Sequence, residues 1–298
     1  MNESEVADNI NYESKYIEVL GSKIHYLEEG LGDPILFVHT IPTSSYVWRH
    51  LIPHLSKYGR CIAPDLIGTG KSDKPDLAYN IFDYVRYFEA FVKALDLKKI
   101  TLIVHGWGSV MGFHYAAEHQ ANIKALVFFE SYVRPDTEYA MVPLPVQELI
   151  GVLKADEKRG FEHVMESSDF VERLIGCASD EPIPESALAC YKASFDKPAD
   201  RKLIWQYIKD LPTGEGKTEV TNLIDAYSKK LAASTFPKLM LYAVPGFNTT
   251  MDTIQWVKNH YTNLNLVDLG EAMHYPQESK PKEVAGVIRE FLGKLCFF

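Results

Sequence analysis

The chain has 298 residues, of which 46% are hydrophobic and 24% charged, and its formal net charge is -9. A chain of this length can bury a large core. The negative charge argues against nucleic acid and against an anionic membrane surface as partners, because both repel acidic proteins. We expect a globular protein, monomeric or weakly homo-oligomeric, that acts on a small molecule.

The cysteines and the N-terminus indicate the cellular compartment. Cys61, Cys177, Cys190 and Cys296 are scattered, without the close pairing of a zinc site or a small disulfide scaffold. The opening residues, MNESEVADNINYES, lack the apolar core of a signal peptide, and no apolar run approaches the roughly 20 residues that span a bilayer. We therefore expect reduced thiols, a cytoplasmic location, no membrane partner and a frayed N-terminal tail.

Strand and helix patterns alternate along most of the chain. Residues 16–20 and 23–28 alternate around Gly21-Ser22, which predicts a β-hairpin. The further predicted strands are 34–39, 60–64, 101–104, 125–130, 238–244 and 264–269, and the predicted helices are 46–55, 81–95, 107–119 and 282–295. This alternation is typical of an α/β protein with a mostly parallel sheet and helices on both faces. Residues 134–233 instead show helical, proline-punctuated segments, which predicts a helical cap inserted between core segments 1–133 and 234–298.

The segment ITLIVHGWGSVMGF, residues 100–113, joins a buried apolar run to a glycine-rich turn and then to helical spacing. It predicts a strand, a sharp turn and a helix, which is the shape of the nucleophile elbow of α/β-hydrolases. In that frame Gly106 occupies the nucleophile's position and has no side chain with which to attack. Ser109 lies beyond any position from which a nucleophile acts, so we interpret it as a small residue that packs the helix on the strand.

Six motifs together point to one family: HTIPTSSYVW at 39–48, APDLIGTGKSDKP at 63–75, VHGWGSVMGF at 104–113, FFESYVRP at 128–135, YKASFDKPADR at 191–201 and GEAMHYPQES at 270–279. Through them the chain resembles the haloalkane dehalogenases of the α/β-hydrolase superfamily over roughly residues 17–295, cap included. It is also similar to the related coelenterazine-type luciferases, which oxidise an imidazopyrazinone. The resemblance implies the α/β-hydrolase fold with an eight-stranded sheet, and chemistry that needs no cofactor and no metal.

The family mechanism uses an elbow Asp that displaces halide to form an alkyl ester, and a His paired with a carboxylate that activates the hydrolytic water. A Trp after the nucleophile and an Asn in the loop after the first parallel strand hold the halide. The resemblance matches His274 to the base, Glu130 to its carboxylate and Trp107 to the halide-binding Trp. The covalent nucleophile is missing, because Gly106 stands at its position.

The other half of the halide site also departs from the family pattern. Ile41 stands at the Asn position, and Thr40 replaces the Gly that usually precedes it. In this fold the backbone N–H groups of Ile41 and Trp107 would form an oxyanion hole, and Trp107 would wall the pocket. Ile41 and the cap residues Tyr191, Phe195 and Trp205 favour an apolar or aromatic substrate.

Plainer interpretations stand beside these assignments. A lone histidine such as His274 is often a surface residue, but it follows the last strand, where this fold places its base, and Glu130 lies at the end of the sixth. His50 and His54 share a face of the predicted helix at metal-ligand spacing, yet no third ligand is near in sequence, so we predict no metal site.

Three functional hypotheses remain open. The chain is an active enzyme in which His274 takes a proton from substrate or water, a dehalogenase disarmed by substitution of its nucleophile, or a small-molecule binder without chemistry. The first leaves cyclisation, elimination, isomerisation, retro-aldol cleavage and cofactor-free oxygenation open. In it Gly106 is an adaptation, since the strained elbow conformation is free for glycine.

Overall fold

The structure is a computed structural model that describes residues 12–135, 144–212, 217–244 and 246–295, without the side chains of residues 145 and 146. Most of the predicted frayed tail, the start of the predicted cap and Cys296 lie outside these residues. The three cysteines that are described, Cys61, Cys177 and Cys190, carry free thiols.

Eight strands form one sheet: β1 (Lys15–Val19), β2 (Ser22–Glu29), β3 (Pro34–Val38), β4 (Arg60–Pro64), β5 (Ile100–Gly106), β6 (Ile123–Ser131), β7 (Lys238–Tyr242) and β8 (Leu264–Asp268). Their order across the sheet is β1-β2-β4-β3-β5-β6-β7-β8. β2 pairs antiparallel with β1 and β4, and the other described pairs are parallel. The central strands β3 and β5 are buried along their whole length, as continuous apolar runs in a parallel sheet should be. The predicted fold class is confirmed.

Helices connect the strands and follow the sheet. They are α1 (Ile52–Leu55), α2 (Ile81–Ala94), α3 (Gly108–Glu118), α4 (Leu144–Ala155), α5 (Glu157–Glu166), α6 (Asp169–Cys177), α7 (Glu185–Ala193), α8 (Lys202–Asp210), α9 (Glu219–Ala233), α10 (Met251–His260), α11 (Pro276–Ser279) and α12 (Pro281–Leu295). Between β6 and β7 the described residues form helices α4 to α9 and one four-residue 3-10 turn, Pro198–Arg201, without a strand. None of the described helices is both long and apolar enough to cross a lipid bilayer.

The first hairpin turns one residue earlier than predicted. Val19 pairs with Ser22, so the two-residue turn is Leu20-Gly21 rather than Gly21-Ser22. Both turn residues have positive φ, 53° and 78°, as the tight turns that match the twist of a hairpin require. The glycine pattern indicated a turn, but Leu20 gave no sign that it adopts a left-handed conformation.

Two helices differ from the prediction. The predicted helix 46–55 is a 3-10 turn, Ser45–Trp48, followed by the short α1, whose second residue Pro53 has no N–H to continue a longer helix. Helix α10 was missed, although Thr250 caps it by accepting the Thr253 N–H at 3.3 Å. Its weakly amphipathic sequence gives little periodic signal.

Candidate active site

The predicted elbow lies at the end of β5, where the chain turns sharply into α3. Gly106 has a left-handed backbone with φ of 51°. Gly108 is required by close approach, since a Cβ there would lie 2.3 Å from the His39 carbonyl oxygen. Ser109 donates a hydrogen bond to the Gly106 carbonyl at 2.6 Å and accepts the Tyr132 N–H at 3.0 Å. Ser109 therefore braces the turn, in agreement with its interpretation as a structural residue.

Thr40 fills the space beside Gly106. A Cβ atom at position 106 would lie 2.3 Å from Thr40 Oγ1 and 2.6 Å from Thr40 Cβ. Side-chain carbons do not approach so closely, so the present position of Thr40 excludes any side chain at 106. Residues 40 and 106 are thus matched to each other, which neither motif alone could reveal.

The Thr40 hydroxyl also engages the predicted oxyanion hole. Thr40 Oγ1 accepts the Trp107 N–H at 2.9 Å and donates weakly to the Ile41 carbonyl at 3.3 Å. The hydrogen bonds of the described residues include none from the Ile41 N–H. Of the two predicted backbone donors, one is therefore occupied by a side chain of the protein itself, and the oxyanion hole stays a prediction.

The loop that carries Thr40 is held by a buried histidine. His39 Nδ1 donates to the Thr40 carbonyl at 2.8 Å, and His39 Nε2 accepts the Leu66 N–H at 3.0 Å. Burial lowers the pKa of His39 despite the nearby charge of Asp65. His39 is thus a neutral imidazole that fixes the backbone on both sides of the loop.

Glu130 reaches the site because β6 bulges. Opposite β5 the register passes from the pair His105–Phe129 to the pair Gly106–Ser131, which leaves Glu130 unpaired with φ of 47°. The Glu130 carboxylate accepts the Phe247 N–H at 3.2 Å and the Asn248 N–H at 2.6 Å. These backbone donors fix the orientation of the carboxylate.

His274 lies against this carboxylate, with Nδ1 3.3 Å from Glu130 Oε2. The structure thus brings together the two residues that the sequence predicted to pair, and neither is on the surface. With Nδ1 donating to the carboxylate, Nε2 carries the free lone pair. That Nε2 lies 2.9 Å from the position of a Cβ at 106, so the imidazole is directed at the elbow.

The backbone of His274 is held at both ends. Its N–H donates to the Ala178 carbonyl at 2.9 Å, and its carbonyl accepts a hydrogen bond from His105 Nε2 at 2.6 Å. Burial, with the nearby His274, holds the pKa of His105 well below its usual range. Gln277 Nε2 lies 3.3 Å from His105 Nδ1. The sequence motifs did not indicate these two supporting residues, although His105 adjoins Gly106 in the elbow motif.

A small cavity of about 20 Å³ adjoins the imidazole. This is space for about one water molecule. Ile41 and His274, both predicted site residues, line it together with Tyr132, Leu174, Ala178, Tyr207, Leu211, Phe247, Asn248 and Tyr275. The enclosure is largely apolar and aromatic.

The aromatic lining is not the one that the sequence suggested. Burial raises the pKa of the phenols of Tyr132, Tyr207 and Tyr275, so all three are neutral hydrogen-bonding groups. Trp107 contacts Tyr132 and Tyr207 edge-on, at ring distances of 5.5 and 5.2 Å, and is not itself among the lining residues. It supports the wall that it was predicted to form.

The three cap aromatics predicted from sequence, Tyr191, Phe195 and Trp205, also lie outside the lining. Tyr191 donates to Glu278 at 2.5 Å, and Glu278 forms a buried, two-pronged ion pair with Arg49 at 2.7 and 2.8 Å. The Tyr191 hydroxyl therefore links α7 to the short helix α11, which follows His274 in the chain. Its position in a dehalogenase-like motif gave no hint of this role.

The geometry described above is that of the α/β-hydrolase class of proteins. The family model of the alpha/beta hydrolase fold matches residues 33–159. A haloalkane dehalogenase of Sphingobium indicum is 33% identical over 289 residues, which cover 95% of this chain and 96% of the relative. A haloalkane dehalogenase of Mesorhizobium japonicum is 34% identical over 283 residues, covering 94% and 91% of the two chains.

Solved structures of haloalkane dehalogenases are similar to this chain over almost its whole length. The crystal structure of the haloalkane dehalogenase DatA from Agrobacterium tumefaciens superimposes with a TM-score of 0.91 at 29% identity, covering 97% of this chain and 99% of that one. The haloalkane dehalogenase DbeA from Bradyrhizobium elkani gives a TM-score of 0.90 at 30% identity, covering 96% and 99%. The chain belongs to the haloalkane dehalogenase family.

Proposed function

We propose that the protein is a divergent enzyme of this family that works without the covalent nucleophile. In this proposal His274, oriented by Glu130, is a general base that removes a proton from an apolar or aromatic small molecule or from water. No alkyl ester forms, because Gly106 has no carboxylate, and the side chain of Ile41 has no amide with which to hold a halide. Cyclisation, elimination, isomerisation, retro-aldol cleavage and cofactor-free oxygenation are compatible with such a proton transfer.

The observation that carries the proposal is the direction of the imidazole. His274 Nδ1 lies 3.3 Å from Glu130 Oε2, and His274 Nε2 lies 2.9 Å from the point where a Cβ atom of a residue at position 106 would be. A base with its free nitrogen toward the elbow and its other nitrogen on a fixed carboxylate can take a proton there and be stabilised as imidazolium.

We further propose that residues 134–233 act as a cap over this base. Helix α6 and the following residue contribute Leu174 and Ala178 to the cavity, and α8 contributes Tyr207. A substrate larger than water needs more space than about 20 Å³. The cap must therefore open or repack for substrate to enter, and its aromatic lining favours an apolar or aromatic ligand.

The alternative of a dehalogenase disarmed at one position is weakened by the fit between residues 40 and 106. Disarming requires a change at the nucleophile only, whereas Thr40 occupies the space of a 106 side chain and Ile41 departs from the family pattern as well. A pure binder is disfavoured because a buried His and Glu pair costs free energy to maintain.

The proposal is tested by identifying what the pocket binds. Native mass spectrometry of the purified protein is expected to reveal a co-purified apolar ligand, which is then offered to wild type, His274→Ala and the exposed-histidine control His54→Ala. Turnover by wild type and His54→Ala, but not by His274→Ala, supports the proposal. Equal turnover by all three proteins would contradict it.

A further inference from the structure

We infer that the site has a second activity, the hydrolysis of small carboxylic esters, with the Thr40 hydroxyl as nucleophile. The inference rests on the proposed role of His274 as base and adds to it a nucleophile supplied by the protein. The elbow nucleophile of the fold is thereby replaced by a hydroxyl that enters from the loop after β3.

The Thr40 hydroxyl lies close to the imidazole of His274. Thr40 Oγ1 and His274 Nε2 lie 2.3 and 2.9 Å from the same point, the Cβ position at 106. The two atoms are therefore no more than about 5 Å apart. No hydrogen bond joins them in the described structure, but nucleophile-to-base hydrogen bonds are often long before substrate binds and shorten in the complex. Thr40, His274 and Glu130 thus stand in the order of a nucleophile, a base and an orienting acid.

The hydrogen bonds of Thr40 favour its deprotonated form. Oγ1 accepts the Trp107 N–H at 2.9 Å, and Trp107 is the N-cap residue of α3, at the end where the helix dipole favours negative charge. Both features stabilise the alkoxide more than the alcohol. The hydrogen that Oγ1 donates goes to the Ile41 carbonyl at 3.3 Å, a weak bond that a rotation toward His274 would exchange at little cost.

The hydrolysis needs no reactant other than the ester and water. Thr40 Oγ1 attacks the ester carbonyl carbon while its proton passes to His274 Nε2, and in this proposal the Ile41 N–H, one of the two predicted oxyanion donors, stabilises the oxyanion. The bond from carbon to the leaving oxygen breaks, and His274 returns the proton to that oxygen. Water then attacks the acyl carbon, His274 takes its proton, and Thr40 recovers its hydrogen as the carboxylic acid leaves.

The cavity limits the substrate. Its volume of about 20 Å³ holds about one water molecule, so an ester enters only as the cap opens, and a short acyl group needs the least opening beside the apolar Ile41. Acetyl esters are therefore expected to react faster than esters of long acids.

The test uses p-nitrophenyl acetate with wild type, Thr40→Val, Thr40→Ser, His274→Ala and the exposed-threonine control Thr235→Val, each checked for folding by its unfolding midpoint. Thr40→Val keeps the shape of the side chain and removes only the hydroxyl. We expect p-nitrophenol release to fall by about 10²-fold or more in Thr40→Val and in His274→Ala, and to persist in Thr40→Ser and Thr235→Val. Acid quenching of wild type should trap one acetyl group on the peptide that contains Thr40.

The possible results distinguish the role of Thr40 as nucleophile from the role of His274 as base. Turnover that His274→Ala abolishes and Thr40→Val leaves unchanged, without acetyl on the Thr40 peptide, overturns the nucleophile and leaves the base standing. Turnover unchanged in both variants overturns both. Acetyl trapped on Thr40 together with loss of turnover in both variants supports both.

Discussion

Thr40 and Gly106 are complementary: the threonine hydroxyl lies 2.3 Å from the place where any side chain at 106 would begin. Restoring the family's carboxylate therefore requires two changes. Gly106→Asp alone is expected to destabilise the protein by about 1 to 3 kcal/mol through overpacking, and Thr40→Gly in the same chain should recover much of that loss. Urea unfolding of both single variants and the double variant measures this coupling, and additive effects would show that Thr40 moves aside freely.

Dehalogenation is expected to be absent from the wild-type protein. Without a carboxylate at 106 no alkyl ester forms, and water activated by His274 would have to displace a halide that Ile41 cannot hold. Release of bromide from 1-bromobutane should match the control without enzyme. Bromide release that His274→Ala abolishes would contradict this expectation.

Recovery of dehalogenation should need three substitutions. We expect Gly106→Asp with Ile41→Asn to remain poor while Thr40 obstructs the elbow, and the triple variant with Thr40→Gly to exceed the sum of its parts, because groups that act on one transition state are not additive. Bromide release across the series is the measurement. If Gly106→Asp alone equals the triple variant, Ile41 is not at the halide site.

Lys238 should make stability depend on alkaline pH. It is buried at the start of β7 and donates to the carbonyl oxygens of Ser234, Phe236 and Thr262 at 2.8 to 3.1 Å. Burial lowers its pKa to about 8. Between that value and the unfolded value near 10.4, the unfolded chain holds a proton that the folded chain has released, so this contribution to stability rises with pH.

The free energy of unfolding of wild type minus that of Lys238→Met should therefore be roughly 2 kcal/mol larger at pH 10 than at pH 7. Chemical denaturation at the two pH values measures the gain. The exposed-lysine control Lys258→Met should show no such trend relative to wild type. A difference between wild type and Lys238→Met that is independent of pH would mean that Lys238 stays charged throughout.

The strands of the sheet were predictable because each strand's burial is visible in its own short stretch of sequence. A strand covered on both faces must be apolar along its length, and β3 and β5 show this directly in the sequence. The deviations occurred where one residue decides the outcome, at Leu20 in the first turn and at Pro53 in α1. Such choices depend on a single backbone conformation or a missing donor, which a periodic pattern does not record.

The site was predictable only in part. The pairing of His274 with Glu130 followed from motif positions, but the bulge that aims Glu130 and the hydroxyl that fills the elbow did not. Thr40 meets Trp107 across 67 residues, and Tyr207 reaches the cavity from a helix whose orientation no local pattern encodes. Contacts at such sequence separations come from the folded arrangement.

The role of His274 as a working base can be measured with a probe that needs only proton removal. A base that removes the ring C–H proton of 5-nitrobenzisoxazole breaks the N–O bond and releases a coloured phenolate, and the probe is apolar and aromatic like the lining of the site. We predict that wild type and His54→Ala accelerate this reaction, that His274→Ala loses about 10² to 10⁴ of the acceleration, and that Glu130→Gln loses less. A rate in His274→Ala equal to that of wild type would contradict the account.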